Sequence, residues 1–246
     1  MSVSSDLQNL VNLLRQKERQ TLDAARERLE ALQRISSDFE TLKKNPSDEA
    51  AKSRLPTDLN TESKYLGTIR DRTNDISRLL GIASGEIKAI QNSNKNNQKI
   101  MNDLDALNSI INEFKILLQY IQNKMNLIKT RVKIGSRLIK GKLNNADSLF
   151  AELTELRDER LEDERIIGVL RGQPGAKPRT QWQKVKNRLA LDIKTRPGLS
   201  VYGAVSSIKP NELPRDLQLI AETIQLTLRF FEIFANYEIS SEQKER

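Results

Sequence analysis

Two pairs of glutamates in "ELTELRDERLEDE" stand one helical turn apart, a spacing that could serve a metal ion. Glu152 precedes Glu155 by three residues, and Glu159 precedes Glu162 by three. On a helix, side chains three apart are neighbours on one face. Mg²⁺ takes carboxylate oxygens together with substrate phosphates. The spacing therefore raises the question of a magnesium site.

This arrangement resembles the first half of the motif of magnesium-dependent all-helical pyrophosphohydrolases. Their motif requires a second acidic pair on another helix, and no acid lies between Arg165 and Asp192. The sequence has no histidine and no cysteine. Their absence excludes Ser-His-Asp and Cys-His catalysis, thiolate metal sites and zinc hydrolases. We predict no catalytic residue, no metal site, no cofactor and no small-molecule substrate; the chain is not expected to be an enzyme.

A basic stretch, "GQPGAKPRTQWQKVKNRL", holds the sole tryptophan of the chain, Trp182. It could grip a phosphate backbone, with the aromatic ring exposed beside the cations as base stacking requires. A helix over 181–191 would instead place Trp182, Val185 and Leu189 on one face, with the cations on its flanks and back. That spacing favours Trp182 as a core anchor under a positive outer surface.

The charge of the chain is +8, with 41 Lys and Arg against 33 Asp and Glu, which favours anionic partners. Cations concentrate in two basic blocks, 124–142 and 171–196. The predicted polyanion-binding residues are Lys129, Arg131, Lys133, Arg137, Lys140, Lys142, Lys177, Arg179, Lys184, Lys186 and Arg188. The competing interpretation of both blocks is a set of solvated helix faces.

The elements that carry these residues are predicted from proline and apolar spacing. Apolar positions three or four apart predict a first helix from about Ser5 to Lys44. The segment 46–61 holds Pro46 and Pro56 and is predicted to be a linker. A second helix is expected to begin near Thr61 and to end at the asparagine-rich segment 92–98.

The third helix has the clearest pattern, a 4-3-4-3 step over four heptads that predicts a coiled-coil seam. The seam comprises Ile100, Leu104, Leu107, Ile111, Phe114, Leu118, Ile121, Met125, Ile128 and Val132. The asparagine-rich segment favours a hairpin loop, so that helices two and three pack antiparallel. The alternative is one unbroken helix with Asn94 and Asn97 in the seam.

These elements predict an all-α fold: a long antiparallel coiled-coil hairpin or helical bundle followed by a smaller C-terminal helical domain. A kink or short loop is expected near 141–146, before a fourth helix that reaches about Leu170. The predicted domains are an N-terminal helix over 1–45, the linker over 46–61, the hairpin and acidic helix over 62–171, and a compact domain over 172–246.

The predicted function is that of a non-enzymatic structural or adaptor subunit of a larger assembly, acting through helix packing with itself or with other proteins. The main alternative is nucleic-acid binding through the two basic blocks, and a further alternative is a helical dimer on a membrane surface. No run of about 18 apolar residues and no secretory signal is present, so we expect no transmembrane segment and a cytoplasmic location.

Overall fold

In a computed structural model the chain is all-α, as the sequence predicts. The structure describes residues 5–170 and ten positions between 219 and 237, except for the side chains of 158–170 and of some positions between 99 and 123. Helices α1 Ser5–Lys44, α2 Glu49–Ser93, α3 Gln98–Ile139 and α4 Leu143–Leu170 follow one another, and the ten later positions are helical. No strand occurs within these described residues.

The predicted bounds of α1 are confirmed, but the linker is much shorter than predicted. Only 45–48 separate α1 from α2, because the Asp48 side chain accepts a hydrogen bond from the Ala51 amide at 2.8 Å and caps α2. Pro56 lies inside α2, where it removes one backbone hydrogen bond at a cost of ~3 kcal/mol. The fully buried Ala51 and Leu55 offset that cost by packing in the core.

The hairpin between α2 and α3 is confirmed. Residues 94–97 form the loop. Asn94 and Asn97, which the unbroken-helix alternative places in the seam, cap the ends of helices instead. The Asn94 side chain donates to the Ile90 carbonyl at 2.9 Å, and the Asn97 side chain accepts from the Ile100 amide at 3.3 Å. Across the loop, Gln91 donates to Asp105 at 2.9 Å. The chain therefore reverses direction here.

The turn between α3 and α4 is where the sequence predicts a break. Gly141 has a φ of 67°, in the left-handed region that favours glycine after a helix. Its amide donates to the Leu138 carbonyl at 3.0 Å, and the Lys142 amide donates to the Arg137 carbonyl at 2.9 Å. This pair of bonds is the Schellman motif, which satisfies carbonyls at the end of a helix.

The chain divides into two compact units built from non-contiguous segments. Unit 1 comprises Met1–Glu18, Arg72–Tyr120 and Asp163–Glu232, and unit 2 comprises Arg19–Asp71, Ile121–Glu162 and Ile233–Arg246. Each unit is therefore built from segments far apart in the chain. The predicted C-terminal domain over 172–246 lies mostly outside the described residues, and the predicted domain division, apart from its linker, stays a prediction.

The core of unit 1 is apolar and comes from α1, α2, α3 and the C-terminal helical positions. Side chains at heptad-like spacing are fully buried, among them Val11, Ile87, Ile111 and Phe114. The C-terminal positions contribute Ile220 and other buried residues. A fully buried aliphatic side chain contributes roughly 1.5–3 kcal/mol, so these positions dominate the stability of the unit.

The core of unit 2 joins all four helices. Its apolar cluster comprises Ala31, Ile35, Phe39, Leu42, Ala51, Leu55, Leu59, Leu127, Ile134, Leu138, Ala146 and Leu153. Helices α2 and α3 approach closely at Gly135, where an added Cβ would lie 2.3 Å from Cδ1 of Leu59. A larger side chain at this crossing must therefore displace the Leu59 side chain.

Candidate functional site

A buried ion cluster joins three helices in unit 2. Glu62 of α2 lies between Arg28 of α1 and Arg131 of α3, and none of the three side chains is more than 2% exposed. Arg131 Nη1 lies 2.7 Å from Glu62 Oε1, and Arg28 Nε lies 3.4 Å from Oε2. The Arg28 guanidinium also stacks over the ring of Tyr65, 4.5 Å from its centroid. One carboxylate thus links two other helices to α2.

The free-energy cost of burying these charges favours a role for the cluster in aligning the three helices rather than in catalysis. Moving each ion from water into a protein interior costs several kcal/mol, and mutual attraction offsets that cost only when the geometry is good. A slip of any of the three helices would separate Glu62 from its partners and leave buried charges uncompensated. Because Glu62 is 0% exposed, no substrate can reach it in this conformation.

Further ion pairs line the contact between α1 and α2 nearer the surface. The Arg34 guanidinium donates to both oxygens of Asp58, with the shortest distance 2.7 Å, and Arg54 donates to Asp38 at 2.6 Å. These hydrogen bonds raise the pKa of Arg34 and of Arg54 above the ordinary arginine value. Both arginines carry their charge at neutral pH in any case, so the pairs persist through the physiological range.

The exposed surface of α3 carries a run of cations that we call the α3 stripe: Lys129, Lys133, Arg137 and Lys140. At 3.6 residues per turn, their steps of four, four and three keep them within an arc of about 80°. All four are exposed, and Lys142 is exposed in the following turn. Among the described residues, none of these five side chains forms an ion pair or a hydrogen bond.

Two members of the basic block 124–142 do not lie on this surface. Arg131, predicted to bind a polyanion, is buried against Glu62, because its position in the helix faces the core. Lys124 is buried as well, at 1% exposed. The predicted residues of the second block, Lys177, Arg179, Lys184, Lys186 and Arg188, lie outside the described residues together with Trp182.

The predicted seam residues of α3 lie largely in the interior. Seven are buried: Leu104, Leu107, Ile111, Phe114, Ile121, Met125 and Ile128. Ile100, Leu118 and Val132 are half-buried. The seam is therefore covered within one chain, and its length alone does not demand a second copy.

The first glutamate pair of α4 faces solvent. Glu152 and Glu155 are exposed, and Glu152 accepts a hydrogen bond from Thr130 at 3.3 Å. The side chains of Glu159 and Glu162 lie outside the described residues. In the described part of the chain, no group of three or more acidic residues is arranged to hold a metal ion.

Sequence reasoning missed the ion cluster, although a signal for it exists. Arg28 stands three residues after Ala25 and four before Leu32, in phase with the apolar face of α1. Glu62 stands three residues after Leu59 and three before Tyr65, in phase with the buried face of α2. A charged residue in phase with an apolar face, with an opposite charge in phase on a neighbouring helix, indicates a buried pair.

Comparison with known proteins provides no relative from which a function could be inferred, so a proposal of function depends on this geometry. No protein-family model, curated protein or solved structure matches the chain. A search of the described helices finds none with the length and apolar character needed to cross a bilayer.

Proposed function

We propose that the chain is a non-enzymatic structural or adaptor protein that holds binding surfaces at fixed positions on a helical bundle. The observation that supports this role best is the buried Arg28–Glu62–Arg131 cluster. A buried ion cluster contributes little net stability but favours one alignment of its helices. An adaptor needs such a fixed alignment, because its partners must meet surfaces that do not slip. A cytoplasmic location stays a prediction of the sequence.

The partner in this proposal is another protein or a second copy of the chain, bound through exposed helix faces. The apolar faces of α1, α2 and α3 are already covered within the chain, so a partner would contact their polar sides. In a polar interface of this kind, a few anchoring residues are surrounded by a polar rim that is complementary to the partner in shape and charge. We therefore expect defined stoichiometry with moderate, salt-dependent affinity.

The test is reconstitution of a complex. The full chain is used to capture proteins from nuclease-treated lysate, and the captured protein is purified and mixed with the chain at micromolar concentration. Light scattering should give one discrete mass above that of the monomer, for the mixture or for the chain alone. A chain that remains a monomer and forms no complex of defined stoichiometry contradicts the structural or adaptor role.

The second candidate function is nucleic-acid binding, which is favoured by the α3 stripe. Its four exposed cations have no carboxylate partner among the described residues, whereas cations on the α1–α2 contact have one. Retention of the chain on immobilised duplex DNA at low salt, and its release at high salt, would test this candidate. An adaptor can perform both functions, with one surface for a protein and another for a polyanion.

A further inference from the structure

We propose that the α3 stripe binds the phosphate backbone of double-stranded nucleic acid without sequence preference. This inference rests on the second candidate function and specifies its surface, its ligand and its mode of contact. The surface is Lys129, Lys133, Arg137 and Lys140 on α3, continued by Lys142 in the turn. The buried Arg131 and Lys124 take no part in it.

The stripe differs from three cations of the same unit that have carboxylate partners. Arg34, Arg54 and Lys64 lie 2.7, 2.6 and 3.0 Å from the carboxylates of Asp58, Asp38 and Glu27. In the described part of the chain none of the stripe cations is within ion-pair distance of a carboxylate, although α4 carries exposed acids. These cations are therefore available to attract an external anion.

The residue types of the stripe are suited to phosphate as that anion. In unit 2 the buried or half-buried carboxylates Asp38, Asp58 and Glu62 are all bound by arginine. Arginine binds carboxylate and phosphate alike through its planar fork, and lysine binds phosphate as a hydrated point charge. Lysine provides three of the four stripe cations and also the cation that follows them.

The side chains between the cations favour a duplex over a single strand or a bilayer. Ser136, which is exposed, lies about 20° outside the arc, and the half-buried Val132 and Ile139 lie about 60° and 80° outside it on the same side. Single-strand binding uses exposed aromatic rings for stacking, and amphipathic membrane helices insert apolar side chains. The stripe offers neither, so its contacts are limited to charge and hydrogen bonding with phosphates.

The length of the stripe suits several phosphates of one strand. Lys129 and Lys140 are eleven residues apart, which corresponds to about 16 Å along the helix axis at 1.5 Å per residue. Each strand of B-form DNA carries one phosphate per ~3.4 Å of axis, so this length spans about five phosphates. Four cations over that length can each contact a different phosphate.

The experiment compares two variants of the full chain that lose the same charge. The stripe variant is K129Q/K133Q/R137Q/K140Q. The control variant is K44Q/K88Q/K95Q/K115Q, in which all four lysines are exposed and lie outside residues 129–142. Binding to a fluorescent 30-base-pair DNA duplex of arbitrary sequence is measured by anisotropy between about 50 and 200 mM salt. Circular dichroism melting curves check that both variants fold.

For the natural chain, log K is expected to fall with log salt at a slope of about −0.9 per phosphate contact, or about −3.6 for four contacts. The stripe variant should bind at least ~10-fold more weakly at the lowest salt, with a slope shallower by about 3.6. The control should keep the natural slope. A charge-conserving variant, K129R/K133R/K140R, should bind as the natural chain does.

Three outcomes would overturn the proposal. The stripe variant could bind the duplex as tightly as the control, which would place any nucleic-acid contact elsewhere. The natural chain could bind vesicles with 30% anionic lipid, or polyglutamate, but not the duplex, which would make the ligand a membrane or an acidic protein. A folded natural chain could bind none of these probes. None of these outcomes bears on the adaptor role, whose test uses nuclease-treated samples and a protein partner.

Discussion

The two compact units bury different kinds of side chain. In the described part of unit 1, Arg72 is the sole buried charged residue, and its partner Asp75, 2.6 Å away, lies one turn further along the same helix. Unit 2 buries six charged residues: Arg28, Asp38, Asp58, Glu62, Lys124 and Arg131. Its buried ion pairs join different helices, as Glu62 does with α1 and α3. The ion pairs between helices in the described part of unit 1, Arg15–Glu222 and Arg78–Asp6, have side chains that are at least 30% exposed.

The comparison of the two units distinguishes two roles of buried side chains: holding helices together and aligning them. Apolar side chains attract one another without direction, so an apolar core tolerates small shifts along the helix axes. An ion pair between helices has a short distance range and is costly to break in the interior. The described part of unit 1 is therefore held mainly by apolar burial, whereas unit 2 adds charged groups that specify one alignment of α1, α2 and α3.

The largest expected effect comes from removing the carboxylate at the centre of the cluster. Glu62→Ala leaves Arg28 and Arg131 buried without their counter-charge and should lower the free energy of unfolding by about 3–5 kcal/mol. Denaturant titration followed by circular dichroism measures it. The matched change in unit 1 is Ile111→Ala, also at a fully buried position, with an expected loss of about 2–5 kcal/mol from the lost apolar contacts.

A triple variant decides whether the charges of unit 2 supply stability or alignment. R28M/E62L/R131M gives this layer an apolar composition like that of unit 1. It should match or exceed the natural chain in stability, by up to ~4 kcal/mol, because the desolvation cost disappears. A triple variant less stable than the natural chain would show that the cluster is a net source of stability, and the contrast between the units would lose its energetic basis.

A smaller effect is expected where α2 and α3 approach each other in unit 2. Gly135→Val adds atoms beside Leu59 and should cost about 1–3 kcal/mol through overpacking. Gly81→Val in unit 1 is the matched control, since an added Cβ at Gly81 meets nothing within 4 Å. Thermal unfolding detects the difference, at roughly 2–4 °C per kcal/mol for a chain of this size.

The Leu59 contact can be tested separately with a double-mutant cycle. In the background of Leu59→Ala, the space beside Gly135 is larger, so Gly135→Val should cost clearly less than it does in the natural chain. Equal costs in both backgrounds would mean that the strain at Gly135 does not come from Leu59. Equal destabilisation at Gly81 and Gly135 would mean that the close approach is not particular to unit 2.

The smallest expected effect concerns an ion pair between helices that is not buried. Lys64 and Glu27 lie 3.0 Å apart, with side chains 63% and 51% exposed. Lys64→Met should change stability by only about 0.2–1 kcal/mol, because water screens the pair. The change should vanish in 1 M salt, where the screening length is ~3 Å. A loss as large as that of Glu62→Ala would mean that burial is not what makes an ion pair of unit 2 costly to break.

Much of the fold could be predicted from the sequence because helical periodicity is local. The bounds of α1, the loop in the asparagine-rich segment and the break near Gly141 each follow from side chains that act within a few residues of themselves. The predicted linker over 46–61 was wrong for the opposite reason. Pro56 has a local cost that the buried neighbours Ala51 and Leu55 offset, and burial is decided by the rest of the fold.

The candidate site shows more clearly the same division between what local sequence predicts and what the rest of the fold decides. The sequence by itself determined that α3 carries many cations, that an apolar face runs along it, and that no histidine or cysteine is available for chemistry. It could not separate Arg131 from Lys129 and Lys133, since all three are cations in one basic block. Only the tertiary structure places Arg131 against Glu62, 69 positions away in the chain, and leaves the other two in solvent. A side chain's own chemistry sets its charge, but the helices packed around it decide whether that charge is paired in the interior or exposed to a partner.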